Sequence, residues 1–375
     1  MSEIVADVRT RWDRATDAME RAGLDGILLG DKYNYWYFTG HLSREFDKKM
    51  RPMLFALTRR GVAAAVCYAQ AEKELRRSCP DIEVHTYEDV PFDVELVSTC
   101  LRSLGLGRSR IGMELGVNER LGLPYRDLEA VARQNPMLTL EDAGPLVQGM
   151  RAVKSEYELA ALRQACELSL RAWRAALDRF PIGATNAGIA TIMGTELARA
   201  GSDVNIAGHV TVGNGVAGVD PYQPGDVIWC DFGGTHVGYQ ADIARRAVYG
   251  TPSELHLDTH GRISDVFETQ LNAIGPGVPV SDVARAVSDR LVALDLPRLG
   301  DRKRVGHGLG LCASEPPSLS LADDTVLEAG MVLTPEPRFT LETGEKVHIE
   351  EVVVVTETGW TKLTDGATSL AVIGG

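Results

Sequence analysis

The sequence predicts a two-domain chain of mixed helix and strand, α/β where the two alternate and α+β where they segregate. Three observations carry that reading. At 375 residues the chain exceeds an ordinary single domain. Its first half alternates helical stripes with short strand-like runs, the pattern of a mixed sheet with helices on its faces. Near Val153 the texture changes to one long helix followed by strands rich in Val and Ile. The boundary is placed at about 150, giving domains 1–150 and 151–375.

The elements follow in order. Ile4, Val8, Trp12, Ala15, Met19 and Ala22 form a helical stripe over 4–22, and Gly23 stops it. The run GILLG at 26–30 reads as a strand, followed by the aromatic segment NYWYFTG ending in Gly40. MLFALT and VAAAVCY flank Arg59-Arg60-Gly61 and read as a hairpin. A helix near 69–78, a strand near 82–87, a helix near 94–104 and a strand at 110–115 continue the alternation. Lys154 to Phe180 is the longest helical pattern, with Leu159, Leu162, Ala165, Leu168, Ala172 and Ala176 on one side and Pro181-Ile182-Gly183 at its end. Helices near 259–274 and 281–294 interrupt the later strands. Helix followed by strands at 154–248 and again at 281–356 hints at a structural duplication without a legible sequence repeat.

Composition narrows the function. The chain is 44% hydrophobic and 24% charged, a globular balance that excludes disorder, collagen and coiled coil. Thirty-nine basic against fifty-two acidic residues leave −13, the wrong sign for a general nucleic-acid binder. The longest apolar stretch, Val62 to Ala69, is far short of a membrane span. The N-terminus is charged from its third residue, with no apolar signal core, so a cytoplasmic protein is expected. Six cysteines contain no CxxC pair and read as buried reduced thiols.

The second domain holds the informative residues. Asp231 and Asp242 flank GGTHVG; if the chain folds back about His236–Val237, the two carboxylates are direct cross-strand neighbours. Like charges that close stay ionised only beside a cation. Glu336 and Glu350 repeat the arrangement about Thr343-Gly344. Glu350 precedes Val352 to Val355, apolar on both faces and therefore central and buried. An unpaired carboxylate there would cost several kcal/mol, which metal coordination offsets. His307 stands between Gly306 and Gly308, which leave room for something to approach its ring. Four carboxylates and one imidazole suit a pair of borderline divalent ions: Mn, Co, Fe or Zn. Taken singly, each of these residues also reads as a cap, a turn acid, an ion-pair partner or a loop histidine.

The five residues and their spacing resemble the pita-bread metallopeptidase family, which includes methionine aminopeptidase, prolidase, Xaa-Pro aminopeptidase and creatinase. The matching motifs are D-F-G-G…Y-Q-A-D at 231–242, G-H-G-L-G-L at 306–311, L-T-P-E-P at 333–337 and V-H-I-E-E at 347–351. R-A-V-K-S-E-Y-E-L at 151–159 resembles the start of the prolidase branch's catalytic domain. The resemblance implies a creatinase-like N-terminal domain and a C-terminal pita-bread domain. It implies that Asp231, Asp242, His307, Glu336 and Glu350 hold two metal ions, with Asp242 and Glu350 bridging. Glu336 would also handle the proton of the attacking water. A homodimer acting on a small molecule or dipeptide is implied as well.

Three positions depart from the family's peptidases. The histidine usual about 17 residues before the first aspartate is missing, and V-G-N-G-V-A-G-V-D-P-Y at 212–222 looks shortened. His209 is the nearest histidine and is a candidate substrate contact. Position 314, usually a second histidine, is Ser314, followed by the expected Glu315; both are candidate substrate contacts. His348 stands where the prolidase-like branch carries arginine. It shares a strand face with Glu350 and is a catalytic candidate whose charge depends on pH. Cys230 and Glu351 should face away from the metals.

Two readings stay open: an Xaa-Pro dipeptidase or aminopeptidase-like hydrolase of an amide C–N bond, and a non-peptidase relative. The latter class includes creatinase, ectoine hydrolase and a dimethylsulfoniopropionate lyase. A third, non-catalytic scaffold, sits badly with five intact ligands.

Overall fold

A computed structural model describes residues 3–48, 51–88, 92–117, 119–203, 208–216, 218–300, 303–366 and 368–374. The chain divides into two compact units, Met1–Arg151 and Ala152–Gly375.

The first unit is built on a six-stranded mixed sheet. Its order is Glu83–Tyr87, Ala63–Tyr68, Leu54–Thr58, Gly26–Leu29, Arg110–Met113 and Thr139–Asp142. The pair Leu54–Thr58 and Ala63–Tyr68 is the expected antiparallel hairpin. The first helix, Glu3–Ala22, buries Val8, Trp12, Ala15 and Met19, the stripe legible in the sequence. The aromatic segment forms a helix, Lys32–Thr39. Asp31 caps it by accepting from the backbone N–H of Tyr33 and Asn34, and Gly40 closes it at φ 64°. Leu28, Ala56, Val66, Val97, Leu101, Ile111 and Val131 belong to one apolar core.

The second unit opens with the helix Glu156–Leu177, started by a reciprocal cap between Ser155 and Glu158. A helix at Asn186–Ala200 follows. A four-stranded sheet then runs in the order Ala371–Ile373, Ile243–Tyr249, Val227–Gly233 and His209–Gly213. A five-stranded sheet runs Glu315–Ser320, Arg304–Gly308, Val332–Pro335, Val353–Thr356 and Gly359–Lys362. Ile263, Val266, Phe267, Val283 and Val287, from the helices Glu254–Asn272 and Val280–Ala293, share a core with Leu333 and Val353 of the second sheet. The two helix-then-strand stretches thus end in separate sheets, and an isolated bridge between Ala244 and Glu350 links them.

Two local readings need correction. The hairpin after Asp231 turns at Val237-Gly238, both at positive φ (44° and 85°), and not at His236–Val237. Asp231 therefore faces Ala244, so it is not the direct partner of Asp242. A slip of two residues preserves the face, so both aspartates still serve one site. His307 sits on a strand, not in a loop. A Cβ at Gly306 would come within 2.5 Å of the Thr334 carbonyl oxygen, and one at Gly308 within 2.2 Å of that of Pro316. Those glycines admit neighbouring strands; they do not clear space around the ring. All six cysteines are free, five of them buried. No helix among the described residues is long and apolar enough to cross a membrane.

Candidate metal centre

Side chains from both sheets of the second unit converge on one nest. Among the described residues, His209, Asp231 and Asp242 form one group with ligating atoms within 4.8 Å of one another. Asp242, His307 and Glu350 form a second such group, and Asp231, His348 and Glu350 a third. Glu336 lies at the same place, its Oε1 3.9 Å from the His307 Nε2. The ribbon of Arg338–Thr340 against Lys346–His348 supports this half of the nest, pairing Arg338 with His348.

Hydrogen bonds sort the three histidines by role. The His307 Nδ1 lies 2.9 Å from the Gly308 carbonyl oxygen, which can only accept, so Nδ1 carries the proton. The Nε2 lone pair then points at Asp242 Oδ2 (3.7 Å), Glu336 Oε1 and Glu350 Oε1 (both 3.9 Å). A lone pair facing three carboxylates is repulsive unless a cation lies between, and a backbone-anchored Nδ1–H is the usual support of a ligating histidine. His348 is the opposite case. The Trp229 indole N–H donates to its Nδ1 at 3.0 Å, so the neutral ring carries its proton on Nε2. That N–H faces Glu336 Oε2 at 3.6 Å and Glu350 Oε2 at 3.9 Å, beyond hydrogen-bond distance, so His348 turns a proton and not a lone pair toward the nest. The His209 Nε2 stands 2.8 Å from Asp242 Oδ1 and 3.2 Å from Asp231 Oδ1.

Burial governs the charge state. It raises the carboxyls of Asp242, Glu336 and Glu350 above the usual carboxylate range, against the pull of His209 on Asp242 and of Arg338 and Arg304 on Glu336. It lowers His307 to about 4 and His348 to about 3, leaving both rings neutral. Burial also works against a charged His209, but hydrogen bonds to the two aspartates prevail and raise it to about 10. Glu336 Oε1, Glu350 Oε1 and the His348 Nε2 are buried without a hydrogen-bond partner. Acids that cannot all carry charge, orphaned oxygens and an exposed imidazole lone pair are what a divalent cation satisfies. The residues fit the metal.

The remaining candidates fall elsewhere. Glu315 is buried, with Oε1 accepting from the Cys312 backbone N–H at 2.9 Å and Oε2 3.8 Å from Lys154; it braces the loop after His307. Ser314 is exposed and accepts from the Arg304 Nη1 at 2.9 Å. Arg304 also brings its Nε within 3.4 Å of Glu336 Oε1, and Arg338 donates to Glu336 Oε2 at 2.8 Å. These two arginines escaped the sequence reading, although Arg304 lies only three residues before His307. Glu351 turns away from the nest, as strand alternation requires, and pairs with Arg245 at 2.9 Å. A cleft of about 340 Å³ adjoins the centre, with Trp229 and His348 in its wall. Arg298, Lys303, Arg304, Arg338 and Lys346 line it, and no acid among the described residues does.

The model for metallopeptidase family M24 matches residues 160–357, more than half of the chain. The chain belongs to family M24. The creatinase/prolidase N-terminal domain matches residues 11–153. An Xaa-Pro dipeptidase of Pyrococcus horikoshii is 22% identical over 353 residues, spanning 92% of this chain and 94% of that protein. The crystal structure of dipeptidase PepE from Mycobacterium ulcerans superposes with a TM-score of 0.82 at 26% identity, covering 98% of each chain. That of an X-Pro aminopeptidase from Thermotoga maritima gives 0.81 at 22% identity, covering 96% of this chain and 99% of that one. This M24 chain is a mixed α/β metal-dependent hydrolase with a creatinase-like N-terminal domain.

Proposed function

We propose that the protein is a dinuclear hydrolase that cleaves the amide C–N bond of a small substrate bearing a free carboxylate, of the Xaa-Pro dipeptide kind. One observation carries the reading: three buried carboxylates face the His307 lone pair, and the charged side chains among the described residues lining the adjoining cleft are all cationic. Asp231, Asp242, His307, Glu336 and Glu350 would hold the ions, with Asp242 and Glu350 shared. Bound divalent ions supply Lewis acidity to the attacked carbonyl and to the attacking water.

The chain's own groups do the rest. The cationic lining binds the substrate carboxylate and orients the scissile bond. Glu336 takes a proton from the water as its oxygen joins the carbonyl carbon. It returns that proton to the amine nitrogen as the C–N bond breaks. His348 directs its Nε2–H toward Glu336 and Glu350 and would donate to either carboxylate that closes on it. Arg304, seated on Ser314, supplies the cationic donor that a serine cannot. Two identical subunits in the cytoplasm and Mn, Co, Fe or Zn as the metal complete the proposal.

The non-peptidase reading keeps one specific support. His209 turns onto the aspartates, and no other histidine lies between 210 and 235 to hold a peptide. Hydrolysis of Gly-Pro, Leu-Pro and Met-Pro with Mn or Co supplied, against the same dipeptides as C-terminal amides, tests the proposal. Metal-dependent cleavage that favours the free carboxylate is expected. Failure on all of them, with turnover of betaine, sulfonium or small amide compounds, would favour the other reading.

A further inference from the structure

The His209 side chain does not behave as a substrate contact. It is mostly buried at the start of the strand His209–Gly213, whose register places Thr211 opposite Asp231. That register swings the His209 ring over the end of the neighbouring strand, onto the two aspartates. The distances decide what the ring can do there. Two donor atoms about 2.1 Å from one ion and 90–109° apart stand roughly 3.0–3.4 Å from each other. The Nε2 lies 3.2 Å from Asp231 Oδ1 and 2.8 Å from Asp242 Oδ1, within a few tenths of an ångström of that spacing. Without an ion the two carboxylates can only accept, so Nε2 donates to them. An ion between the three groups would take the place of that proton, and nothing among the described residues on the far side of the ring opposes the exchange. The Nδ1 is buried without a hydrogen bond, unlike the Nδ1 of His348, which accepts from Trp229.

We infer that His209 is a sixth protein ligand, bound through Nε2 to the ion that Asp231 and Asp242 hold. The centre would then carry one imidazole for each of its two positions, His209 for one and His307 for the other. Imidazole suits Zn, Fe and Ni, whereas all-oxygen sites suit Mn and Mg. The Asp231 position should therefore favour the nitrogen-preferring ions more than a carboxylate-only position would. The inference rests on the metal-centre reading and adds a ligand and a metal preference to it.

The test uses the full chain and the metals alone. Mn-loaded protein labelled with 15N-histidine is examined by pulsed electron paramagnetic resonance, which counts directly bound imidazole nitrogens. Two are expected in the wild type and one in His209→Leu. In competition between equimolar Zn and Mn, read as metal content by mass spectrometry, Zn preference at one of the two positions should fall at least about 10-fold in His209→Leu, the lower bound for loss of support around a metal. His209→Gln keeps a hydrogen-bonding side chain and serves if the leucine variant does not fold; it should lose the same nitrogen and the same preference. A wild type that loads two ions with one bound nitrogen, or variants that match it in nitrogen count and Zn preference, would overturn the inference while leaving the metal centre intact. A wild type that takes up no divalent ion would overturn the centre itself, and this inference with it.

Discussion

Removing the Glu351 side chain should cost far more stability than removing an ordinary surface acid. The Arg245 and Glu351 side chains are 2% and 0% exposed, so water does not screen their 2.9 Å contact. Arg245 also donates to the carbonyl oxygens of Ala244 and Glu350. It therefore fixes the backbone that carries Glu350 into the nest. Glu351→Ala strands a guanidinium in the interior, a lesion worth about 3–5 kcal/mol. The second unit spans Ala152–Gly375, and a domain of that size loses about 2–4 °C per kcal/mol, so its melting temperature should fall by about 6–20 °C. Thermal unfolding of the chelated protein isolates this from metal effects. Arg245→Met in the Glu351→Ala background should recover part of the loss, because it removes the stranded charge while leaving two carbonyls short of a donor. A loss below about 1 kcal/mol in the single variant, the scale of an exposed pair, would refute the reasoning.

Glu336→Gln keeps the side-chain size and removes the proton acceptor, so turnover should fall about 100-fold or more while bound metal persists; unchanged turnover would pass the role to another group. Arg304→Gln and Arg338→Gln should raise KM for free dipeptides more than for their amides, and equal effects on both would remove the arginines from carboxylate binding. Ser314→His should not raise Xaa-Pro cleavage, because Arg304 already supplies the cationic donor there, and a clear rise in dipeptide turnover would take that role from Arg304. Val237→Asn should stabilise the fold by about 1 kcal/mol, since a β-branched residue is strained at φ 44° and asparagine tolerates it; chemical denaturation reads the difference.

The five carboxylate and imidazole positions were legible because each lies on a short strand or within a few residues of one that has its own apolar signature, as Val352 to Val355 shows beside Glu350. The register between Asp231 and Asp242 was not. It depends on which two residues occupy the left-handed turn, and a valine there gives no warning. Only strand parity survived, and parity was enough to bring both acids to one site. The helix Asn186–Ala200 escaped notice although Thr185 and Gly201 cap it, because its apolar stripe is sparse. The arginines at 245, 304 and 338 could not be placed from sequence. Their partners, at 351, 314 and 336, are chosen by packing between strands distant along the chain or by side-chain reach. The same holds for His209, whose role depends on where its strand ends relative to Gly233. Histidine tautomers, which separate ligand from donor here, are written only in three-dimensional hydrogen bonding.

The account's central claim is that the carboxylates and His307 form a two-metal hydrolytic centre. The most direct measurement is metal content per chain after reconstitution with Mn or Co, taken alongside dipeptide hydrolysis by the same sample before and after chelation. Two ions per chain, activity lost with them and both restored on readdition, is the expected result. Full hydrolytic activity in protein stripped of metal would contradict the claim.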